Sequence, residues 1–578
     1  MENPEIANIF YEIADLLEIK GDNPFRVRSY RNAGLAVEGL SVSLKSLHER
    51  GGEGLKNIPS IGGHTREKIV EMLTTGRCAF HDELLKEIPS GVLQMLKVHG
   101  IGPKKAAVLY KKLGVSSVDA LEKAASGHRL IDLDGFGEKS EEKVLKAIKA
   151  LRAVSGRFRL STALLTAESI MERLKGVKSA KEIIPAGSLR RWRDSVGDID
   201  LLAISKAPEN LMESFVSYPE AKEVISKGDT KSSIVLKNGL QVDLMVVDAG
   251  SLGAALQYFT GSKAHNVAIR DRAKAMGLKI NEYGVFREKD GKLIGGKTEE
   301  DVYKCVGLPW IAPELRENRG EIEAAEKGEL PAGIDVRDVK GDLHVHTVES
   351  DGASTLEELA DAAIKRGYEY LAITDHSKAV GIAHGLDEKR ILRQMAEIDS
   401  FNRRLKGQGE KFRFLKGAEV DIRADGGLDH PEGVLKRLDC VVGAIHSGFA
   451  MTKEAMTGRI LNGIRSGLIH ILAHPTGRLI GSREPYEIDM EMIMDEAKKY
   501  NVAMELNSYP DRLDLNDIHL RLAKEKGINI AISTDSHSVS HLDNIMFGVH
   551  TARRGWIEKQ DVLNTRPLKE VLKMMKRG

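Results

Sequence analysis

The central motif of the chain reads Gly187-Ser188-Leu189-Arg190-Arg191-Trp192-Arg193-Asp194-Ser195-Val196-Gly197-Asp198-Ile199-Asp200. Apolar runs flank it, residues 182–186 on one side and residues 201–204 on the other. This pattern predicts a strand, a Gly-Ser turn with basic residues, and a second strand that begins Asp-Ile-Asp. Because alternate residues of a strand point to the same face, the two aspartates project together, about 7 Å apart along the backbone.

Two carboxylates at this spacing repel each other unless a proton or a cation neutralises them. Gly187, Ser188 and Arg191 can hold phosphate oxygens, so the motif favours a magnesium–nucleotide site. Asp243, in the alternating run 241–247, offers a third carboxylate, and such a set can hold two ions about 3.5–4 Å apart that activate an attacking hydroxyl and stabilise the leaving phosphate. A bare Asp-x-Asp is more often a pair of ordinary strand-edge carboxylates, but the turn, Arg191 and Asp243 favour the metal site.

The overall composition fits a globular chain of several domains. Single cores stop growing near roughly 250–300 residues, whereas this chain has 578 residues, 42% of them hydrophobic and 30% charged. The net charge of +1 still permits local basic surfaces. No run reaches the length of a membrane span, and the N-terminus lacks the order of a signal peptide, so we expect a cytoplasmic protein. The cysteines, Cys78, Cys305 and Cys440, are far apart and indicate a reducing compartment.

Three similar glycine turns punctuate a helical N-terminal region. They read Pro59-Ser60-Ile61-Gly62-Gly63, His99-Gly100-Ile101-Gly102-Pro103 and Asp134-Gly135-Phe136-Gly137-Glu138, and each precedes a lysine-bearing helix. In this helix-hairpin-helix pattern the glycines let the backbone approach a phosphate, and the helix N-terminus offers free N–H groups. One copy is better explained as a glycine-capped connection, but three copies predict a repeated, non-specific grip on DNA. The expected DNA-binding residues are Gly62, Gly100, Gly102, Lys104, Lys105, Gly135 and Gly137.

Beyond residue 338, acidic residues and histidines recur at the ends of apolar runs. The segments are Gly341-Asp342-Leu343-His344-Val345-His346, Ser350-Asp351-Gly352, Thr374-Asp375-His376-Ser377, Gly417-Ala418-Glu419-Val420-Asp421, Ala444-Ile445-His446, Leu472-Ala473-His474 and Thr534-Asp535-Ser536-His537. Helical stretches lie between them, which is the β-α repeat of a barrel whose strand ends build the active site. A lone His-x-His is at least as often a structural pair. The mixed set of imidazoles and carboxylates suits zinc, manganese or iron.

These motifs resemble those of a known enzyme family. Gly187-Ser188-x-Arg190-Arg191 with Gly197-Asp198-Ile199-Asp200 is similar to the palm motif of family X DNA polymerases. The resemblance continues through Asp243, through Tyr258-Phe259-Thr260-Gly261-Ser262 and into residues 277–283. The whole chain resembles the long bacterial and archaeal form, in which a polymerase-and-histidinol-phosphatase (PHP) domain follows the polymerase.

The resemblance implies a multidomain fold. It comprises an α-helical helix-hairpin-helix N-terminal region, an α+β nucleotidyltransferase palm and a C-terminal α/β distorted (β/α)7 PHP barrel. Segregated helices and strands also indicate a mostly antiparallel α+β palm. The expected domains are 1–80 (lyase-like, with the first hairpin), 81–152 (DNA-binding, with two hairpins), 153–253 (palm), 254–315 (nucleotide-selecting), 316–338 (a charged, solvated helix or linker) and 339–578 (PHP).

The resemblance also implies the residues of a polymerase site. Asp198, Asp200 and Asp243 would be catalytic and hold Mg²⁺ or Mn²⁺. The expected nucleotide-binding residues are Gly187, Ser188, Arg191, Gly197, Tyr258, Phe259, Thr260, Gly261, Asn266 and Arg270. Asn266 would touch the minor-groove edge of the base, whose acceptors are nearly the same in every correct pair, and Arg270 the template strand. Tyr258-Phe259 alone is more often a core pair, and the adjoining Thr-Gly-Ser favours a pocket.

Two departures from the family bear on chemistry. Gln241 and Met245 flank Asp243 where animal relatives carry arginines, so control of carboxylate protonation is expected to be weaker or to come from elsewhere. Lys68 matches the Schiff-base lysine of the family's lyase domain and Tyr30 a tyrosine of that pocket, but His64 stands where the lyase branch often has another lysine. Since a lysine needs a lowered pKa to attack an aldehyde, Lys68 has two possible roles, weak lyase chemistry or a plain phosphate contact.

Similarity to PHP domains implies a second metal centre. Its ligands would be His344, His346, Asp351, His376, Glu419, His446, His474, Asp535 and His537, holding up to three Mn²⁺, Zn²⁺ or Fe ions that promote attack of water on phosphorus. Every expected ligand is present, which argues against a purely structural domain. Asp375, beside His376, is either a partner of the ligands or a salt-bridged surface residue.

The leading prediction is a DNA-repair enzyme with two activities. One is template-directed, gap-filling polymerisation, and the other is a PHP-domain 3′–5′ exonuclease that also cuts at abasic sites. Its expected partners are gapped or nicked double-stranded DNA and deoxynucleoside triphosphates, and we expect a monomer away from membranes. Two alternatives stay open: a PHP domain that acts as a small-molecule phosphatase, and a DNA-binding scaffold with silent active sites.

Overall fold

The computed structural model divides into two compact units, residues 1–155 and residues 156–578. It describes residues 157–576 without a gap. In the first unit it describes all residues except 2, 39–43, 45–47, 49–54, 56, 57, 59, 60, 99, 132, 134, 135, 137–140, 146 and 149–155. In the part of the chain so described, no helix is long and apolar enough to cross a bilayer.

The first unit is helical. Its described helices include α1 (Asn3–Lys20), α2 (Pro24–Glu38), α3 (Gly63–Thr75), α4 (Ala79–Glu87), α5 (Ser90–Met95), α6 (Pro103–Leu113) and α7 (Val118–Ser126). α1 buries Ile6, Phe10, Ile13 and Leu17, a spacing that places them on one helical face. This face belongs to a hydrophobic cluster that extends from Ile6 to Ile148, so a single core runs through the unit.

The glycines of two of the three predicted hairpin turns fall within the described residues. Gly62 precedes α3 and Gly102 precedes α6, each as the N-terminal cap with extended backbone. Gly100 has a φ of +87°, a conformation that favours glycine because it lacks a Cβ. The glycines of the third turn, Gly135 and Gly137, lie outside the described residues.

The second unit begins with the predicted palm. Its strands are β1 (Phe158–Arg159), β2 (Ala180–Pro185), β3 (Ser195–Val196), β4 (Asp198–Ser205), β5 (Ala221–Lys227), β6 (Lys231–Leu236) and β7 (Gln241–Val246), and its helices are α8 (Leu160–Lys175), α9 (Gly187–Arg190) and α10 (Pro208–Val216). The main sheet has the order β2-β4-β7-β6-β5. Only its β4–β7 pair is parallel, which confirms the mostly antiparallel α+β prediction. The sequence did not predict β5, whose residues are nearly all exposed and lack a core-facing alternation.

A smaller α+β region follows the palm. Its elements are α11 (Leu252–Thr260), α12 (Lys263–Ala275), β8 (Leu278–Asn281), β9 (Gly284–Arg287), β10 (Leu293–Gly295) and α13 (Glu299–Cys305). The three strands form an antiparallel sheet. The helices pack around Ile269, Val302 and Tyr303, which are fully buried.

Residues 316–338 are only partly the solvated helix or linker that their charge predicted, because many of them are exposed but some of the charged ones are buried. They contain α14 (Glu321–Lys327), and the side chains of Arg316 and Glu321 are completely buried. Nδ1 of His265 lies 2.7 Å from Oε1 of Glu321, and Nη1 of Arg316 donates to Oε1 of Glu299 over 2.6 Å. The prediction of a solvated segment was wrong here because these charges are paired inside the fold, and a pairing partner distant in sequence leaves no local signal.

The C-terminal part is a parallel β-barrel. Its strands are β11 (Gly341–Val345), β12 (Tyr370–Ile373), β13 (Arg413–Asp421), β14 (Cys440–Ala444), β15 (Ile471–Leu472), β16 (Ala503–Asn507) and β17 (Ile530–Ser533), in sequential order. Its helices are α15 (Leu356–Lys365), α16 (Glu388–Gly407), α17 (Glu432–Leu435), α18 (Lys453–Arg465), α19 (Met490–Lys499), α20 (Asp517–Lys526), α21 (Ile545–Arg554) and α22 (Leu568–Met575). A parallel bridge from Val345 to Ser536 joins the first strand to the end of the last. The seven-stranded, nearly closed barrel confirms the predicted fold.

Candidate active sites

The Gly-Ser turn of the palm packs against one of its aspartates. Gly187 has a φ of +62°, and a Cβ at this position would lie 2.3 Å from Oδ2 of Asp200. Both the backbone conformation and the contact therefore require glycine. The turn itself is the short helix α9, and Gly197 separates β3 from the strand β4 that begins at Asp198.

The parallel pairing of β4 and β7 brings the three palm carboxylates to one place. Asp200 is in register with Asp243, and Asp198 with Gln241. Burial raises the pKa of Asp200 to about 7, with a further contribution from the negative charges of Asp198 and Asp243. The Gln241 amide donates to Oδ1 of Asp243 over 3.0 Å.

Positive charge near these carboxylates comes from outside the Asp243 strand. Lys231, on β6, and Arg191 partly offset the rise in the pKa of Asp200. Lys231 is in register with Met245, one of the two positions where animal relatives were expected to carry arginine. Lys231 was not among the predicted site residues. An isolated lysine at the start of the strand next to β7 could have indicated it.

The two arginines of the turn have different partners. Arg190 donates to both carboxylate oxygens of Glu299, over 2.8 and 2.7 Å. Arg191 donates from Nε to Oε1 of Glu317 over 3.1 Å and from Nη1 to the carbonyl oxygen of Thr260. The cation expected to hold phosphate is thus tied to a carboxylate of the segment that was predicted to be a linker.

The predicted nucleotide-selecting residues surround the end of α11 and the start of α12. The Tyr258 and Phe259 rings meet edge to face at 5.1 Å, and both are half-buried. Gly261 has a φ of +68°, and a Cβ there would lie 3.1 Å from Nη1 of Arg191. Asn266 donates to the carbonyl oxygen of Tyr258 over 2.6 Å, and Arg270 is exposed. The Tyr258–Phe259 pair is therefore neither fully buried in the core nor fully exposed.

In the first unit, Lys68 lies in an aromatic setting. Its Nζ is 4.8 Å from the centroid of the Phe80 ring, which stacks on Tyr30 at 5.9 Å. His64 is almost fully exposed beside Glu67. Lys104 and Lys105 lie in the first turn of α6; Lys104 is exposed, and Lys105 approaches the Phe136 ring at 4.9 Å. The two possible roles of Lys68 both stay predictions.

In the barrel, the nine predicted ligands lie at or just beyond the carboxyl ends of the strands, where barrels of this kind build their sites. Three groups of side chains each offer ligand atoms within 4.8 Å of one another. These groups are His346, Asp351, His376 and His537; His344, His346 and Asp535; and His376, Glu419 and His446. His474 joins them through its Nε2, 3.0 Å from Oε1 of Glu419. Within the described residues, the palm carboxylates are not among such groups.

Several polar atoms of this cluster are buried without a hydrogen-bond partner. They include Nε2 of His344, both ring nitrogens of His346, Nδ1 of His376, His446 and His474, and Oε2 of Glu419. Buried polar atoms are otherwise nearly always paired. The residues therefore fit a site for divalent cations, and imidazole with carboxylate suits manganese, zinc or iron.

Charge is distributed unevenly over the barrel cluster. Burial alone would lower the pKa of every imidazole, but the Glu419 carboxylate outweighs it at His376 and His446 and raises their pKa values to about 10 and about 9. At His346 and His474 burial dominates and lowers the pKa to about 4 and about 3. Since metal ligands must lose their protons, binding of a divalent cation here competes with protonation.

Two ligands adopt backbone conformations that non-glycine residues rarely have. His474 has a φ of +27° and Asp535 a φ of +52°. Such strain persists only where the surrounding structure imposes it, and it is concentrated at functional sites.

The structure adds residues that the sequence analysis did not assign to the barrel site. Oε1 of Glu505 lies 2.7 Å from Nδ1 of His344, and its other oxygen accepts from the backbone N–H of His474. Oδ1 of Asp421 lies 3.3 Å from Nδ1 of His446. Arg512 is 3.7 Å from Asp535, and its Nη1 is buried without a hydrogen-bond partner. Glu505 could have been found, because it is a carboxylate inside the apolar strand β16 and β16 was the strand without a predicted ligand.

The structure decides between the two roles predicted for Asp375, a partner of the ligands or a salt-bridged surface residue. Asp375 is buried and accepts hydrogen bonds from the backbone N–H and hydroxyl of Thr347 and from Ser350. It is therefore not a salt-bridged surface residue, and that alternative was wrong. Its partners belong to the loop that carries Asp351, so it fixes the approach of that ligand.

Comparison with known proteins covers most of the chain. The sequence matches the helix-hairpin-helix domain over residues 1–78, the SAM-like helix-hairpin-helix tandem over 92–150, the DNA polymerase beta thumb over 255–317 and the PHP domain over 342–509. A probable phosphatase of Thermoanaerobacter is 31% identical over 250 residues, which cover 41% of this chain and 95% of the phosphatase. DNA polymerase lambda of the rat is 25% identical over 54% of this chain and 56% of its own length.

One relative matches from end to end. The DNA polymerase/3′–5′ exonuclease PolX of Bacillus subtilis is 40% identical over 581 aligned residues, which cover 100% of both chains. This identity over the full length agrees with the thumb, helix-hairpin-helix and PHP regions matched in the same chain. The chain belongs to the family X DNA polymerases that carry a C-terminal PHP domain.

Proposed function

We propose that this protein is a template-directed, gap-filling DNA polymerase of DNA repair with a 3′–5′ exonuclease in its PHP barrel. One observation carries the proposal: a single chain contains two separate acidic centres, each with a complete set of the expected residues. The full-length relative named as a DNA polymerase/3′–5′ exonuclease supports the pairing of these activities.

In the palm, we assign Asp198, Asp200 and Asp243 to two divalent cations, Mg²⁺ or Mn²⁺. Bound there, the ions would neutralise charge on the transferring phosphate. The adjacent turn residues, Gly187, Ser188, Arg191 and Gly197, would hold the triphosphate, and Tyr258, Phe259, Thr260 and Gly261 would border the sugar. The register of Asp200 with Asp243 and the glycine required beside Asp200 support this assignment. Asn266 and Arg270 would contact the base pair and the template.

In the barrel, we assign the nine ligands to up to three Mn²⁺, Zn²⁺ or Fe ions. Cations held there would act as Lewis acids on a phosphodiester and make water acidic enough to attack it. Arg512 offers a buried, unpartnered N–H beside the cluster, suited to holding a phosphate oxygen. We propose 3′–5′ exonuclease and abasic-site cleavage as the reactions of this centre.

The N-terminal unit would grip gapped or nicked DNA through its glycine turns. Gly62, Gly100, Gly102, Lys104 and Lys105 would contact phosphates without reading sequence. Weak lyase chemistry at Lys68 is proposed on its position beside Tyr30 and Phe80. Borohydride trapping of abasic DNA that is undiminished in Lys68→Ala would remove Lys68 from that role.

We propose a monomeric, cytoplasmic protein. No disulfide joins Cys78, Cys305 and Cys440, as a reducing compartment allows.

A single substrate tests the main proposal. A labelled gapped duplex is incubated with and without deoxynucleoside triphosphates, in magnesium or in manganese. We expect magnesium-dependent extension with nucleotides and manganese-stimulated shortening from the 3′ end without them. Neither extension nor shortening under any of these conditions would support the scaffold alternative.

A small-molecule phosphatase is the second candidate for the barrel, and one observation favours it. The probable phosphatase of Thermoanaerobacter aligns over 95% of its own length with 41% of this chain, a share about the size of the barrel domain. Wild type and His344→Ala/His346→Ala would be assayed on histidinol phosphate and on DNA. The phosphatase assignment predicts rapid hydrolysis of the small ester and no loss of DNA.

A further inference from the structure

Helix α21 of the barrel packs directly on the nucleotide-binding turn of the palm. Trp192, next to Arg191, has a φ of +54°, and its ring lies parallel to the imidazole of His550 with centroids 3.6 Å apart. Phe547, one turn earlier on α21, meets the same indole edge to face at 6.1 Å. The unusual backbone conformation of Trp192 is therefore supported by side chains of the other catalytic domain.

Arg554, at the end of α21, links three parts of the molecule. Its Nη1 donates to the carbonyl oxygen of Arg191 over 2.6 Å and to Oε1 of Glu317 over 3.0 Å. Its Nη2 donates to Asp517, at the start of α20, over 2.7 Å. The Arg554 side chain is only 3% exposed. A planar guanidinium can serve these three acceptors at once, which a lysine ammonium at the same place does poorly.

Arg554 and Arg191 share one carboxylate. Oε1 of Glu317 accepts from Nε of Arg191 as well as from Arg554. Burial would raise the pKa of Glu317, but the positive charges of Arg554, Arg191 and Arg193 outweigh it and lower the pKa. An ionised Glu317 held by Arg554 thus fixes one side of the Arg191 guanidinium, and the Thr260 carbonyl fixes the other.

We propose that the PHP barrel completes the polymerase site, with Arg554 and His550 as positioning residues for nucleotide binding. They act through the turn: His550 holds Trp192, and Arg554 holds the Arg191 backbone directly and its guanidinium through Glu317. The proposal rests on the role of Arg191 in the proposed function. It predicts that residues of a nuclease domain set the affinity of the polymerase for its nucleotide.

Loss of Arg554 has a definite consequence. It leaves Glu317 with one fewer cation, so Glu317 holds Arg191 more strongly and competes with the triphosphate for it. It also frees the Arg191 carbonyl, which loosens the turn. Misplacement of a binding group by about 1 Å costs as much as a hundredfold in rate, and we expect the kcat/KM for the nucleotide to fall roughly ten- to a hundredfold, mainly through KM.

The test is steady-state extension of a one-nucleotide gap with the full-length protein while the deoxynucleoside triphosphate is varied. The variants are Arg554→Ala, Arg554→Lys, His550→Ala and His550→Phe. We expect Arg554→Lys to recover only part of the loss, and His550→Phe, which keeps a flat ring against Trp192, to recover most of it. DNA affinity and exonuclease rate, measured on the same preparations, should change less than twofold, because the polar contacts of Arg554 are with the turn, Glu317 and Asp517.

The matched control is Arg366→Ala. Arg366 also belongs to the barrel and pairs with Asp543 over 2.7 Å, but it contacts the barrel and not the palm turn. It reports the effect of removing a barrel ion pair, and its kinetics should match the wild type. If Arg554→Ala loses polymerase and exonuclease activity in parallel, or if Arg366→Ala loses as much, the substitutions only destabilise the fold. Either result would overturn the proposal.

A double mutant distinguishes this inference from the proposed role of Arg191. If Arg554 acts through Arg191, Arg191→Ala/Arg554→Ala should be little worse than Arg191→Ala, because coupled residues are not additive. An unchanged KM in Arg191→Ala would instead remove the proposed role of Arg191. A raised KM in Arg191→Ala, with wild-type kinetics in Arg554→Lys and His550→Ala, would overturn the positioning role alone. These two variants decide the matter if Arg554→Ala fails to fold.

Discussion

The palm and the barrel are both acidic centres for phosphate chemistry, yet they are built in opposite ways. The palm presents three carboxylates on two strands, and Asp198 is exposed while Asp200 and Asp243 are half-buried. The barrel buries most of its nine proposed ligands and leaves several of their ring nitrogens without hydrogen bonds. A buried cluster of imidazoles and carboxylates can retain cations by itself, whereas an open set of carboxylates needs the phosphates of a substrate to complete a coordination shell.

This contrast has a direct consequence for metal dependence. The barrel should be purified with metal bound, and the palm should acquire its ions with the nucleotide. The same contrast suggests that the two centres can be disabled separately, even though α21 joins their domains. Substitutions confined to one centre test that separation.

Asp200→Ala should abolish extension. Removal of a carboxylate between Asp198 and Asp243 destroys the site for cations that supply several kcal/mol of transition-state stabilisation, which corresponds to roughly a thousandfold in rate. Primer extension in magnesium measures the effect, and a gel-shift assay on the same gapped DNA should show nearly unchanged binding. Substantial magnesium-dependent extension by Asp200→Ala would contradict the two-ion assignment.

His344→Ala/His346→Ala should have the reciprocal effect. The double substitution removes ligands from two of the three groups in the barrel, so metal content should fall and the exonuclease rate should drop by roughly a hundredfold or more. Extension should survive, because Asp198, Asp200 and Asp243 belong to another domain. Metal analysis and degradation of a 3′-labelled strand check both parts. An unchanged exonuclease rate at equal purity would place the activity outside this cluster.

Glu505→Gln tests whether a partner of His344 controls metal affinity in the barrel. The Glu505 carboxylate fixes His344 by a 2.7 Å contact with Nδ1, and loss of such a partner lowers metal affinity about 10–100-fold. The exonuclease should therefore weaken at limiting manganese and recover when manganese is in excess. Glu496→Gln is the control, since Glu496 lies on the outside of the barrel and pairs with Arg465. If excess manganese does not restore activity, Glu505 has a role beyond orienting its histidine.

Glu505 also illustrates what the sequence could and could not predict. The shared face of Asp198 and Asp200 was predictable because alternate side chains of a strand point the same way. The barrel ligands were predictable because nearly all their segments end an apolar run and because those segments resemble PHP motifs. Glu505 lies inside an apolar run, so a search for ligands at the ends of such runs did not identify it.

The pairing between domains could not be predicted from local sequence. Glu317 and Arg554 are 237 residues apart, and a charged stretch has the same composition whether its charges face water or one another. Arg316, Glu317 and Glu321 therefore looked solvated until their partners, Glu299, Arg554 and His265, were brought beside them. The Gly-Ser turn of the palm thus depends on contacts that no motif around it records.

The pH dependence should differ between the centres, and the palm gives the simpler case. The pKa of Asp200 is raised to about 7 by burial and by its neighbours. Below that pH the carboxyl group is protonated and the proton competes with the cation; above it the carboxylate is free. The magnesium concentration for half-maximal extension should therefore fall up to about tenfold per pH unit between pH 6 and 7 and level off towards pH 8. A constant half-saturating concentration over this range would show that Asp200 is ionised throughout.

The smallest expected effect separates DNA binding from both centres. Lys104 is exposed in the first turn of α6, after the glycine cap Gly102, where a phosphate would meet free backbone N–H groups as well as the ammonium. Lys104→Ala should weaken binding of gapped DNA a few-fold, equally for different sequences, and lower the slope of log affinity against log salt by about 1. Lys111→Ala, a change of the same charge at the other end of the same helix, should leave the slope nearly unchanged.

Since neither lysine belongs to a catalytic centre, extension and exonuclease activity should keep their ratio in both variants at saturating DNA. A change of that ratio in Lys104→Ala would mean that the N-terminal unit selects which centre receives the DNA end.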